Sequence, residues 1–370
     1  MKRTRIAFVG VGNISGIYLK NLTTTFAREI EIAGVCDLIP ERAQEAADEY
    51  GVSIYPRYED ILADDSVEII LNITRPNEHY AITLAGLKAG KHVYSEKPLA
   101  TDFEQGKELV AYAKAHGLML GGAPDTFMGG GIQTCRKLID DGYIGQPVYA
   151  NAVLLGCGHE VWHPDPEFYY EYGGGPMMDM GPYYVTALVN LLGPAVSVMG
   201  RSKISYPQRT ITSQPKFGKV IDVEVPTHYN GIIDFANGCT GSIVTSFDVQ
   251  YGRKGRYIEI LGSEGTLRVP DPNDFGGKIG LLRAGETEFC EIPIVRPYTE
   301  NSRGLGLADM AHALRTGRRH RANCDQTCHV LEIMTGFDKS SRENRTVQLE
   351  TAFTRSAPMK YTMLPGILDD

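Results

Sequence analysis

The first 122 residues alternate short apolar runs with helix-patterned segments, and this alternation constrains the fold more than any other feature of the chain. The runs at 5–9 ("RIAFV"), 31–37 ("EIAGVCD"), 67–74 ("VEIILNIT"), 91–96 ("KHVYSE") and 118–122 ("LMLGG") read as strands. Residues 15–27, 40–51, 77–90 and 103–117 carry helical patterning between them, with Pro40 early in the second segment and Gly51 as its stop. So regular an alternation predicts an α/β domain built on a doubly wound parallel sheet.

After about residue 123 the rhythm changes. Helices are expected at 129–141 and from about Asp179 to Leu192. Strand-like runs such as "PVYANAVLL", "HYNGIIDFANG" and "TGSIVTSFDV" lie between and beyond them, and "FANG" and "LGSEG" supply hairpin turns. Helix returns in "GLADMAHALRTG" and "CHVLEIMTGFDKSS". At 370 residues the chain is too long for one ordinary core. Two domains are expected, 1–123 and 124–370, the second an α+β domain with an open, mainly antiparallel sheet.

Composition narrows the partners. A net charge of −8 gives no reason to expect nucleic acid or an anionic membrane. The opening "MKRTRIAFVGVGNI" imitates a signal peptide, but its apolar run is short, glycine-broken and followed by no small-residue cleavage site, so it reads as a strand. Seven scattered cysteines make no disulfide framework, and Cys324 and Cys328 lack further ligands nearby, so no metal is expected. A reducing, cytoplasmic location follows from these readings.

Residues 8–18, "FVGVGNISGIY", follow the first strand and open the first helix. Gly10 and Gly12 fill the first two positions of the dinucleotide fingerprint G-x-G-x-x-G, and Ser15 fills the third. The first glycine permits a tight turn, and the second lets the backbone approach a pyrophosphate at the helix N-terminus. The third position needs only a small residue, which makes Gly16 incidental. Asp37 ends the second strand, where a carboxylate bonds ribose hydroxyls and repels a 2′-phosphate, so NAD is predicted over NADP. A turn-capping role before Pro40 is the competing reading, and Arg42 on the next helix is a complication.

Three further stretches, "NITRPNEHY" (72–80), "GKHVYSEKPLA" (90–100) and "GGGPMMDMGPYY" (173–184), combine with the loop. Together they resemble the glucose–fructose oxidoreductase/inositol dehydrogenase (Gfo/Idh/MocA) family, and Glu96-Lys97-Pro98 is its most specific short signature. The resemblance implies a Rossmann domain plus an open-sheet domain, NAD(P), and oxidation or reduction of a sugar, polyol or related carbonyl. It implies cofactor contacts from Gly10, Gly12, Asn13, Ile14, Asp37, Thr74, Arg75, Asn77, His79, Glu96 and Lys97. It also suggests a cis Lys97–Pro98 peptide.

Lys97 falls at the C-terminal end of a parallel strand, the rim where such sheets bind ligands. A neighbouring nicotinamide cation disfavours its ammonium and suits it to proton exchange with a hydroxyl. Asp179 and Tyr183 are four apart and would share a helix face. Many relatives carry histidine at the position of Tyr183, which leaves open whether Lys97 or Tyr183 accepts the proton. The expected catalytic cluster is Lys97, Asp179 and Tyr183, with Asp179 orienting the hydroxyl or the lysine. Trp162 and His163, in "EVWHPDPEFYY", are expected to form a substrate wall, since aromatic faces stack on sugar C–H faces; loop anchoring is the alternative for Trp162. Asp125 is expected at the rim as an acceptor for hydroxyls, favouring a neutral polyol or glycoside.

The predicted function is NAD-dependent hydride transfer at a secondary hydroxyl of a sugar, polyol or glycoside. A glycosidase using transient oxidation and elimination, and a non-catalytic sugar-responsive regulator, are the alternatives. An open sheet with one face to cover favours a homo-oligomer.

Overall fold

The computed structural model describes residues 3–250, 255–360 and 364–369. The chain divides into two compact units, Met1–Gly130 with Val295–Cys328 and Ser356–Asp370, and Gly131–Ile294 with His329–Arg355.

In the first unit β1 (Thr4–Val9), α1 (Ser15–Thr23), β2 (Ile30–Cys36), α2 (Pro40–Tyr50), α3 (Tyr58–Ala63), β3 (Ile69–Asn72), α4 (His79–Lys88), β4 (His92–Ser95), α5 (Phe103–Ala115) and β5 (Leu120–Gly122) follow one another. The strands form one parallel sheet in the order β2-β1-β3-β4-β5. Ile6, Phe8, Ile70, Leu71 and Val93 are all buried, because a doubly wound sheet is covered on both faces. Strand order reverses between β1 and β3, so the loops leaving these two strands diverge at a switch point, the usual ligand crevice of such sheets.

Helix α1 stops four residues short of its expected end. Thr23 and Thr24 return their hydroxyls to the carbonyls of Leu19 and Lys20, which competes with helix propagation through a β-branched run. The six-residue α3 was too short to register as a periodic pattern.

The first unit extends beyond residue 123 and takes in distant segments. The Gly122 N–H donates to the Ala322 carbonyl at 3.0 Å, and Gly121 forms an antiparallel bridge with Asn323, so the late segment continues the β5 edge. Asp125 accepts from the N–H groups of Gly304 and Gly306, at the start of the helix Leu305–Thr316. Hydrogen bonds between residues some 180 positions apart leave no local mark in a sequence, which is why a break at 123/124 looked natural.

The second unit contains α6 (Gly130–Asp140), β6 (Pro147–Leu155), α7 (Gly175–Asp179), α8 (Gly181–Leu192), β7 (Ala195–Lys203), β8 (Gln208–Thr210), β9 (Val220–Asp222), β10 (His228–Phe235), β11 (Thr240–Ser246), β12 (Gly255–Gly262), β13 (Gly265–Val269), β14 (Ile279–Arg283), β15 (Cys290–Ile292) and β16 (Val347–Gln348). Nine strands form a sheet in the order β15-β14-β13-β12-β6-β11-β10-β7-β16, antiparallel except for β6 beside β11, while β8 and β9 form a separate ribbon. The expected hairpins are β10–β11 and β12–β13. Phe337 packs so closely on the sheet that a Cβ at Gly231 would stand 2.2 Å from its ring.

The helix expected from about Asp179 to Leu192 is two helices. The first ends at Asp179 and the second starts at Gly181, with Met180 between them. Pro182 lacks the N–H that an uninterrupted helix would donate to Met178, and in the first turn of α8 that loss costs nothing. Asp179 and Tyr183 therefore do not share the face of a single helix.

Candidate active site

The first unit presents the nucleotide half. Gly10 has φ +92°, and a Cβ there would lie 2.8 Å from the Ile73 carbonyl oxygen, so the turn after β1 closes against the loop after β3 only because the residue is glycine. A Cβ at Gly12 would meet nothing within 4 Å, which leaves its backbone open to a ligand. Ser15 is buried and donates its hydroxyl to the Gly12 carbonyl at 2.7 Å, closing the loop from within. The Ser15 N–H donates to the Gly12 carbonyl at 3.0 Å, but no side chain caps α1 and its first turn carries no acidic residue, which suits the helix start to an anion. Asn13 is exposed beside them and Ile14 is half-buried.

Asp37 stands just past β2, half-buried, and its carboxylate accepts from the N–H groups of Val11 at 2.6 Å and Ile39 at 2.8 Å. It thus ties the glycine turn to the rim of β2. A cavity of about 250 Å³ is bordered by Gly12, Asn13 and Ser15 on one side and by Arg42, Glu45 and Glu49 on the other. These features fit a dinucleotide: an open glycine backbone, an uncapped helix start and a carboxylate at the end of β2. Arg42 lines the same cavity, as the sequence warned.

The loops after β3 and β4 complete this rim. Thr74 is half-buried and donates its hydroxyl to Asn72, while Arg75 and Asn77 are exposed. The Lys97–Pro98 peptide is cis. Lys97 is half-buried, and its backbone N–H donates to one carboxylate oxygen of Glu96 at 3.0 Å. The other Glu96 oxygen accepts from the Tyr18 hydroxyl at 2.7 Å. His79, expected to face the cofactor, is buried, with Nδ1 2.7 Å from the Pro98 carbonyl oxygen and Nε2 3.1 Å from that of Thr74. Burial lowers its pKa, and a neutral ring donates to only one of the two carbonyls. Glu96 and His79 thus hold the lysine turn in place.

Asp125 requires a larger correction. It is 1% exposed, and one carboxylate oxygen accepts from both Gly304 and Gly306 at 2.9 Å. Burial pushes its pKa up to about 6, against the pull of these two N–H groups. It anchors a helix start and offers no acceptor to a substrate, so the argument from Asp125 to a neutral substrate falls. The sequence showed a carboxylate near a strand end, but its partners lie far along the chain.

The second unit carries the remaining candidate residues in the loop 156–174, between β6 and α7, and at the start of the helices that follow. Arg209 lies buried between Glu160, at 2.7 Å, and Asp248, and Tyr170 donates its hydroxyl to Glu160. Around this ionic anchor, His159 stacks on Tyr169 with ring centroids 3.8 Å apart, and Phe168 packs on Tyr169 at 4.0 Å. His163 is buried inside the loop, with Trp162, Phe168 and Tyr169 edge-on around it, and its Nδ1 accepts from the Asp165 N–H at 3.0 Å. Trp162 is 60% exposed, leaving one broad aromatic surface to solvent. Of the expected wall, Trp162 is open and His163 supports it from behind.

Glycine sets the distance between this loop and α7. A Cβ at Gly174 would stand 2.6 Å from the backbone of Phe168 and Tyr169, so a side chain there would push the helix carrying Asp179 away. Asp179 is half-buried at the end of α7, with Oδ2 3.3 Å from Nε2 of His159. Tyr183 is buried in the first turn of α8. Sequence reasoning passed over His159, because its partner is 20 residues away across a segment without periodicity. A cavity of about 520 Å³ is lined by Glu160 with Cys157, Val161, Tyr206 and Arg209, and neither Asp179 nor Tyr183 borders it. Among the described residues no group of three or more His, Cys, Asp or Glu side chains is arranged to hold a metal ion. No helix among them is long and apolar enough to cross a membrane.

A switch-point sheet with an open glycine turn is the nucleotide half of a dinucleotide-dependent oxidoreductase. Comparison with known proteins gives the same class and makes it specific. Residues 4–122 match the model of the oxidoreductase family with an NAD-binding Rossmann fold, and residues 132–268 match the GFO/IDH/MocA C-terminal domain. The chain belongs to the Gfo/Idh/MocA oxidoreductases, and its cofactor is NAD. It is 36% identical over 154 residues to an inositol 2-dehydrogenase/D-chiro-inositol 3-dehydrogenase of Lactiplantibacillus plantarum, a match spanning 39% of this chain and 42% of that protein. It is 24% identical over 351 residues to a scyllo-inositol 2-dehydrogenase (NAD(+)) of Bacillus subtilis, covering 94% of this chain and 97% of that one. A levoglucosan dehydrogenase solved with NADH and L-sorbose has the same fold, with a TM-score of 0.84 at 19% identity over 95% of this chain and all of that one.

Proposed function

We propose that the protein oxidises a secondary hydroxyl of a cyclic polyol, sugar or glycoside, with NAD as hydride acceptor. The observation that carries the substrate class is Asp179, a half-buried carboxylate at the end of α7, against His159 of a loop that exposes Trp162. Carboxylates accept hydrogen bonds from hydroxyls, and aromatic faces take the C–H faces of saturated rings. The inositol dehydrogenase relatives lend support to a polyol.

NAD, when bound, supplies a nicotinamide that accepts hydride. Gly10, Gly12, Asn13 and Ile14 would hold its pyrophosphate, and Asp37 its adenosine ribose. Thr74, Arg75, Asn77 and Lys97 would line the path towards the reacting end. Lys97 accepts the hydroxyl proton, Asp179 orients the hydroxyl, and Tyr183 either shares or takes over the proton acceptance. Glu96 and His79 keep the lysine turn in register.

A panel of inositols, monosaccharides and glycosides assayed for NADH formation tests this reading. Net NADH with a polyol or sugar is expected. Release of an aglycone without net NADH points to the transient-oxidation glycosidase instead, and binding without turnover across the panel to a sugar-responsive regulator. Self-association belongs to the same proposal, because Val148, Met199, Ile232 and Tyr257 leave apolar surface exposed on the large sheet. Light scattering that returns a monomer mass would remove that part.

A further inference from the structure

We infer that His159 is the positioning residue for Asp179, fixing the orientation in which its carboxylate meets the substrate hydroxyl. This rests on the reading of Asp179 as a hydroxyl-binding group. The two side chains are 13% and 15% exposed, and Nε2 lies 3.3 Å from Oδ2. The imidazole has little freedom to turn away. It is stacked on Tyr169 at 3.8 Å and 16°, has the Phe247 ring edge-on at 4.7 Å and has Trp162 at 5.3 Å. Its own backbone N–H is bound to the Tyr170 hydroxyl at 3.1 Å, and Tyr170 is in turn held by the Glu160–Arg209 pair. The ring is therefore fixed at its backbone and on its faces, and the carboxylate contact is the direction left to its polar edge.

A second observation marks this as more than packing. Nδ1 of His159 is buried and has no hydrogen-bond partner. A neutral ring with its proton on Nε2, beside Asp179, leaves the Nδ1 lone pair unmatched, and a charged ring leaves an Nδ1–H unmatched. In either state the carboxylate contact is the one polar interaction the imidazole makes through its nitrogens. Leaving a buried nitrogen unpaired has a cost. A phenylalanine would fill the same aromatic cluster without that cost. The retained imidazole is accounted for by its hold on Asp179. The titratable groups facing it are Asp179 from α7, and His163, Tyr169 and Tyr170 from its own loop; Phe247 and Trp162 are neutral.

Two measurements test the inference. The first needs no substrate: the His159 Nε2–H proton is observed by proton–nitrogen correlation NMR in the wild type and in Asp179→Ala. A slowly exchanging signal is expected in the wild type, and its loss by fast exchange in the variant, as the carboxylate beside Nε2 is removed. An unchanged signal overturns the pairing, whatever the enzyme turns over.

The second measurement compares two substitutions in the NADH assay. His159→Gln keeps an amide N–H near the position of Nε2, and His159→Phe keeps the stacked ring without a donor. His159→Phe is expected to lower kcat by roughly 10- to 100-fold with NAD affinity unchanged, the usual effect of losing a polar contact to a charged group, while His159→Gln recovers most of the rate. The reverse ranking assigns His159 to packing alone and overturns the proposal. If the wild type oxidises no polyol or sugar, the functional reading fails, and the NMR result still decides the pairing.

Discussion

The two units hold their chemistry by different means. In the first, the reactive turn is gripped through the backbone: Glu96 holds the Lys97 N–H, His79 reaches two carbonyls, and Gly10 closes on Ile73. In the second, the loop 156–174 is gripped through side chains, by a buried ionic cluster on Arg209 and a stack of rings around His159. Backbone anchoring tolerates many side chains but fixes the chain path. Side-chain anchoring leaves the path irregular and makes the site depend on a few charged and aromatic residues.

That contrast can be broken or sharpened by substitution. Lys97→Met should lower turnover by about 10²- to 10⁴-fold while NAD titration remains near normal, because only the ammonium is removed. Near-normal turnover would take the lysine out of the chemistry. Arg209→Met should destabilise the second unit by about 3–5 kcal/mol in denaturant unfolding, since it leaves Glu160 and Asp248 buried without their cation. A loss under about 1 kcal/mol would show that the loop does not depend on its ionic anchor.

Asp125 gives the pH-dependent case. Its folded pKa, about 6, lies above the ordinary carboxylate value of 3.8. The folded state therefore binds the proton more tightly than the unfolded chain. The stabilisation is fully present below about pH 4 and is lost as pH rises through 6, amounting to roughly 3 kcal/mol. Asp125→Asn keeps an oxygen for Gly304 and Gly306 but cannot ionise, so its Tm should fall less than the wild type's between pH 4 and 7. Parallel Tm profiles would refute the assignment.

The smallest effects separate two glycines in one loop. Gly10→Ala should cost about 1–3 kcal/mol and weaken NAD binding, because its backbone is left-handed and its Cβ meets Ile73. Gly16→Ala should change stability by no more than about 0.5 kcal/mol, since the added Cβ meets only the Tyr50 hydroxyl at 3.7 Å. Equal losses would mean that the fingerprint had been aligned one residue out.

How much was legible in the sequence follows the same contrast. The parallel sheet, the glycine turn and the lysine turn were readable because strand ends, short loops and Glu96-Lys97-Pro98 are local patterns. His159 and Asp125 were misjudged or missed because each is defined by a partner that only the folded chain supplies. The break at Met180 hid behind a four-residue spacing that looked continuous, although Pro182 was in plain view. Burial of His79 was invisible for another reason: its partners are carbonyl groups, which every residue has.

The bonds from Gly122 to Ala322 and from Asp125 to Gly304 and Gly306 also have a consequence for biogenesis. The second unit is in effect an insertion within the first, whose missing pieces lie at 295–328 and 356–370. During synthesis the nucleotide-binding half begins before the second unit and is completed after it. Until the late segments emerge, the β5 edge is unpaired and the Asp125 carboxylate has no helix to anchor, so the half-built sheet exposes an open strand edge in the nascent chain.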